Sequence, residues 1–148
     1  MIRKIICLAL VIAISLFTFQ GCIPEKQFVT TEIYENQELT FRVEFPRTWK
    51  DKYSVVANPH SPESVIIQTT WGGTLGYIFR KTSEEWNSSG KGEEIPIEYK
   101  VLNESSVYIY LLYFASDVNY DPENEEQVDI YIEMRKELYN IKLEILHE

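Results

Sequence analysis

The sequence predicts an α+β fold: an antiparallel β-sheet of about six strands with a long C-terminal helix packed on one face. Three observations carry this. Apolar residues fall on alternate positions at Leu39, Phe41, Val43 and Phe45 and again at Ile95, Ile97, Tyr99 and Val101. Val107–Phe114 is an unbroken apolar run, and Tyr131, Met134, Leu138, Ile141 and Ile145 recur three and four residues apart. A period of two marks a half-buried strand, an unbroken short run a strand covered on both faces, and the wider spacing one stripe of a helix. Strands grouped together and followed by one helix give the α+β class, whereas regular alternation of the two would give a parallel sheet.

The elements follow in order. The strand beginning at Leu39 stops at Pro46, which cannot donate to a ladder, and Pro46-Arg47-Thr48-Trp49 turns the chain with Trp49 and Tyr53 available to cap the core. Tyr53–Ala57 is a second strand. Two prolines within Asn58–Pro62 forbid helix and ladder alike. Val65–Thr70 and Leu75–Arg80 are strands joined by Trp71-Gly72-Gly73-Thr74, whose glycines suit a hairpin. Thr82-Ser83-Glu84-Glu85 fits a capping box, the Thr hydroxyl and the Glu carboxylate each satisfying a free backbone N–H, and starts a short helix through Trp86. After the polar stretch Asn87–Gly92 come the alternating strand, a turn at Asn103–Ser106 and the apolar run, which belongs inside the sheet. Past a loop at Ala115–Asp121, Asp121 is the expected N-cap of the terminal helix, with Pro122 in its first turn and Glu123, Glu125 and Glu126 placed against the dipole.

Ahead of all this stands a leader. Arg3 and Lys4 precede fifteen residues, Ile5–Phe19, that form a secretory h-region. That is short of the roughly 20 residues a membrane-spanning helix needs. The run ends at Phe19-Gln20-Gly21-Cys22, a small residue directly before a cysteine, which resembles the lipobox cut by the lipoprotein signal peptidase, with Phe19 and Gln20 where Leu and Ala or Ser are usual. The resemblance implies a signal peptide over residues 1–21 and a lipid on Cys22. It also implies a tether over residues 22–31 and a single domain over residues 32–148, held on the extracytoplasmic face of the cell membrane. Cys7 lies in the leader and no cysteine follows Cys22, so a disulfide within the mature fold is excluded.

Charge narrows the partners. The chain of 148 residues has a net charge of −9, and losing Arg3 and Lys4 with the leader takes it to −11. A surface this acidic argues against nucleic acid, which requires a basic face, and against adhesion to an anionic bilayer by a polybasic patch. With 45% hydrophobic and 14% aromatic residues, a packed core is within reach.

Catalytic chemistry is thinly represented. Asp117-Val118-Asn119-Tyr120-Asp121 has the D-x-N-x-D spacing of a calcium loop, but the sixth position is Pro122 instead of glycine and the twelfth is Val128 instead of glutamate. These residues therefore read as a loop and a cap. His60 and His147 have no cysteine to complete a zinc site, and no Gly-x-Ser-x-Gly elbow exists. The acid pairs Glu84-Glu85, Glu93-Glu94 and Glu125-Glu126 read as solvated surface, and Trp71 as a ring folded on the sheet edge. No catalytic residue, metal ligand or cofactor is expected.

Phe41-Arg42-Val43-Glu44-Phe45-Pro46-Arg47-Thr48-Trp49 with Lys52-Tyr53, and Tyr108–Phe114 followed by Ser116-Asp117-Val118-Asn119-Tyr120, resemble a family of small uncharacterised lipoproteins of Gram-positive bacteria. The strand and Pro-x-x-Trp turn are also similar, more loosely, to PsbP-like α/β sandwiches, which bind partners and are not enzymes. The resemblance implies fold and location, and no activity. The function expected is a non-enzymatic, lipid-anchored binding module for a basic protein or cell-envelope component. Asp117, Asn119, Tyr120 and Asp121 are its expected contact residues, because tyrosine supplies low-entropy contact area beside an acidic rim. The alternative is a carboxylate-dependent cell-envelope hydrolase.

Overall fold

The computed structural model describes residues 32–89 and 98–147. The leader, Cys22 and its tether, the Glu93-Glu94 pair and the Ile95–Ile97 start of the alternating strand lie outside the described residues. The fold is α+β, with eight strands in two antiparallel sheets. Strands β1 (Glu32–Asn36), β2 (Phe41–Phe45) and β8 (Lys142–Ile145) form the smaller, in the order β1-β2-β8. Strands β3 (Tyr53–Ala57), β4 (Ser64–Thr69), β5 (Thr74–Thr82), β6 (Tyr99–Glu104) and β7 (Tyr108–Phe114) form the larger, in the order β3-β4-β5-β7-β6. Helix α1 (Ser83–Ser88) follows β5 directly, and α2 (Glu125–Glu137) precedes β8.

Local chemistry sets most boundaries. The Thr82 hydroxyl accepts from Glu85 N at 3.2 Å while the Glu85 carboxylate accepts from Thr82 N at 3.1 Å, the reciprocal capping box. Gly72 takes a φ of 90°, a conformation open to glycine, in the turn between β4 and β5. β7 is buried on both faces from Ile109 onward. Tyr110, Leu112 and Phe114 enter the main core with Phe41, Val43 and Phe45 of β2 and Tyr131, Met134 and Leu138, whereas Ile109, Leu111 and Tyr113 join Trp86 on the opposite side.

The structure corrects the expected helix at both ends. Asn124, not Asp121, is the N-cap, its side chain accepting from Gln127 N at 3.2 Å. Asp121 instead accepts Glu123 N at 3.0 Å in the turn before it. After Glu137 the chain tightens into a 3-10 turn, Leu138–Asn140, and then extends as β8 beside β2. Ile141, Leu143 and Ile145 are spaced by two as well as completing a three-and-four pattern, so the apolar period there fits strand and helix equally. Pairing decides: β8 supplies backbone partners along β2 from Phe41 to Glu44, which a continued helix would leave with one neighbour only. β1, whose sequence Glu-Ile-Tyr-Glu-Asn carries no apolar alternation, covers the other edge of β2. The single sheet of about six strands is therefore two sheets, the smaller one and α2 together closing one face of the larger.

Glu137 joins these layers. Its carboxylate accepts Trp49 Nε1 at 2.7 Å and the Thr48 hydroxyl at 2.9 Å, fastening the end of α2 to the turn after β2. Trp49 is fully buried, stacked on Phe45 at 5.3 Å with Tyr53 edge-on at 5.7 Å. Glu137→Ala leaves the indole N–H without its acceptor inside the core and should cost about 1–3 kcal/mol in urea unfolding; a loss below about 0.5 kcal/mol would show that the carboxylate carries none of this load.

The same corner makes a pH prediction. Burial, and then the Glu32 carboxylate beside it, push the Tyr53 hydroxyl up to about 12. Tyrosine in an unfolded chain ionises near about 10, so this contribution to stability is complete below that pH and is lost as pH rises through about 12. Urea midpoints should fall over that interval, and Tyr53→Phe should make the fall shallower.

Candidate functional site

The outer face of the five-stranded sheet is unlike its core face. Register lines up Val56, Ile66, Tyr77, Tyr113 and Tyr99 across all five strands, each directly opposite the next. Directly opposed residues share a face, so the row is a continuous apolar and aromatic band. Beside it, Phe79 of β5 lies opposite Leu111. Rings pack in sequence along the band: Tyr77 against Phe79 at 6.2 Å, Phe79 edge-on to Tyr113 at 5.0 Å, Tyr113 against Tyr99 at 6.0 Å, and Tyr99 edge-on to Trp86 of α1 at 5.7 Å. Trp86 covers the Ile109 and Leu111 side. The Tyr77 and Phe79 side stays half-buried.

A cleft of about 410 Å³ opens there. One wall is the outward row of β5, Thr74, Tyr77, Phe79 and Lys81, and the other is Tyr113 with the chain that leaves β7, Phe114 to Asp117 and Asn119. Tyr113 is 8% exposed, and its hydroxyl makes no hydrogen bond among the described residues. Burial raises its pKa, with Tyr99 adding to the rise. Lys81 and the Asp117 carboxylate, at opposite ends of the cleft wall, also lack a hydrogen-bond or ion-pair partner among the described residues. The arrangement offers broad apolar contact, hydroxyls from Thr74, Tyr77 and Tyr113 in the walls, and one charge of each sign at the margin.

The four expected contact residues part company. Asp117 and Asn119 stand on the cleft rim. Tyr120 turns to the other side of the sheet and packs edge-on against Tyr131 at 5.3 Å, where it supports the main core. Asp121 holds the turn into α2. Tyr77, Phe79, Lys81 and Tyr113 are not among the four contact residues the sequence points to. The available sign was the alternation of Tyr77, Phe79 and Lys81 along β5, but the partner across the sheet is a matter of register. Trp71, expected on the sheet edge, lies instead half-buried in the hairpin between the interior strands β4 and β5, where it donates through Nε1 to Asn119 O at 3.3 Å, steadying the rim. Comparison with models of protein families, with curated proteins and with solved structures finds no match to this chain.

The rim depends on a close approach at Gly73. A Cβ there would lie 2.2 Å from Asn119 O and 2.9 Å from the Thr69 hydroxyl, and the Gly73 N–H donates to that hydroxyl at 2.8 Å. Gly73→Ala should therefore push the Asp117–Asn119 loop off the hairpin, costing about 1–3 kcal/mol by overpacking. Urea unfolding measures the cost and amide shifts at Asp117 and Asn119 the displacement; unchanged shifts would contradict the contact.

Proposed function

We propose that this chain is a lipid-anchored, extracytoplasmic binding module that works by contact, with no chemical step, and that the cleft over Tyr77, Phe79 and Tyr113 is its ligand site. The leader and the Gly21-Cys22 junction support the anchor. The cleft supports the binding role, and it is the observation on which the reading stands. Its volume falls within the range of about 300–1,000 Å³ usual for small-ligand sites, and its lining is mostly apolar with few polar groups, as such sites require. A ligand with a flat, weakly polar face meets this chemistry: a sugar ring of a cell-envelope polymer lies on tyrosine and phenylalanine while Asp117, Asn119 and Ser116 take its hydroxyls. The basic protein partner considered from charge alone finds one carboxylate, Asp117, among the cleft's described lining residues.

Two measurements test the reading. Labelled palmitate should enter the full chain and be lost in Cys22→Ala; retained label would remove the anchor at that residue. Soluble peptidoglycan fragments titrated into the full chain should bind saturably, and Tyr77→Ala should weaken binding by about tenfold, the scale of one aromatic contact. Conversion of the fragments, abolished by Asp117→Asn, would replace the module with the hydrolase.

A further inference from the structure

We infer that the turn Arg47–Lys52 is the membrane-facing patch of this protein and meets the anionic headgroups of the bilayer that holds the Cys22 lipid. The inference rests on the lipid-anchor reading above and adds which side of the domain faces the membrane and by what chemistry.

The first support is where the tether arrives. Nine residues separate Cys22 from Glu32, the first residue of β1, so the anchor lies at most about 35 Å from that strand even with the chain fully extended. Glu32 is opposite Phe45, the last residue of β2, and the next residues of the chain are the turn itself. The end of the domain that carries Arg47, Lys50 and Lys52 is thus the end tied to the bilayer.

The second support is charge. Three cations fall within six residues of a chain whose net charge after the leader is −11. Arg47 and Lys50 are exposed, Lys52 is half-buried, and none of the three forms an ion pair among the described residues. Two acids of the adjoining elements are already engaged: Glu137 accepts from Thr48 and Trp49, and Glu32 is hydrogen-bonded by Tyr53. Asp51 is the one acid within the turn and holds a left-handed φ of 61°. The turn therefore keeps a net charge of +2. The net charge of the whole chain argues against adhesion by general attraction, but it does not describe this turn. For an anchored domain the lipid provides the affinity, and the local charge decides the orientation, because a −11 body is pushed from an anionic surface everywhere except where cations face it.

The test uses the full chain, processed and lipidated, with the lipid on Cys22 verified by intact mass; an unmodified cysteine would sink the anchor reading separately from this one. The protein is reconstituted into phosphatidylcholine vesicles with and without phosphatidylglycerol, and lysines are acylated by a water-soluble reagent and mapped by mass spectrometry. Lys50 and Lys52 should be acylated about fivefold more slowly when phosphatidylglycerol is present, the factor expected from the attraction of one lysine to an anionic surface, and high salt should remove the difference. Lys81, seven residues up β5 from the end of the larger sheet where Tyr53 pairs with Thr69, should be unaffected. Equal rates in both vesicles, or protection at Lys81 in place of the turn, would overturn the orientation. Protection by soluble poly(glycerol phosphate) that phosphatidylglycerol vesicles do not give would overturn it in favour of a wall polymer.

Discussion

Strand β7 offers no side to water. From Ile109 to Phe114 every residue is buried, so the five-stranded sheet has to be covered twice, and the rest of the architecture is the means of doing so. On one face the cover is complete. The three-stranded sheet brings Phe41, Val43 and Phe45, α2 brings Tyr131 and Met134, and the 3-10 turn brings Leu138, all against Tyr110, Leu112 and Phe114. Burial of this many large side chains is the main source of stability here, and the polar contacts around it act chiefly as alignment. Tyr110, fully buried, donates a hydrogen bond from its hydroxyl to Leu39 O at 2.8 Å. Arg135 donates to Leu75 O at 2.6 Å while its guanidinium lies 4.8 Å from the centre of the Phe114 ring.

The second cover is lighter, and the cleft follows from the difference. Helix α1, six residues long, reaches Ile109 and Leu111 through Trp86. Tyr77, Phe79 and the edge of Tyr113 are left as walls of a cleft instead of being packed away. Half-buried rings held by rings on either side keep a defined shape without being sealed, which is what a contact surface requires: area to offer and little side-chain entropy left to lose on binding. The loop that leaves β7 supplies the polar margin, pinned by Trp71 and by the absence of a side chain at Gly73.

Charge is divided as unevenly as packing. The outer face of the small sheet carries a ladder in which Arg42 pairs with Glu144 and with Glu35 on the strands at either side, and Arg80 is held by Glu63 at 2.6 Å. These cations are spent on neighbours. Those of the Arg47–Lys52 turn have no ion pair among the described residues, and the turn follows Phe45, which lies opposite the first residue of β1. A net charge thus conceals an uneven arrangement, with three cations of one turn unpaired among the described residues.

Sequence alone determined the features whose physics is local. The capping box at Thr82–Glu85, the break at Pro46, the glycine turn after β4, the two-sided burial of Ile109–Phe114 within the apolar run and the α+β class are all properties of a few consecutive residues, and period and propensity suffice to read them. The tertiary structure decided whatever depends on a partner distant in the chain. Residues 141–145 fit a helix and a strand equally well, and the open edge of β2, a hundred residues away, settles them as β8. Tyr120 and Asp117 are three residues apart in one loop, yet one ring goes to the core and the other side chain to the cleft, because the chain crosses the end of the sheet between them. Tyr77 and Tyr113 have nothing in common along the chain. Antiparallel register sets them face to face, and the candidate site exists only once that pairing has been made.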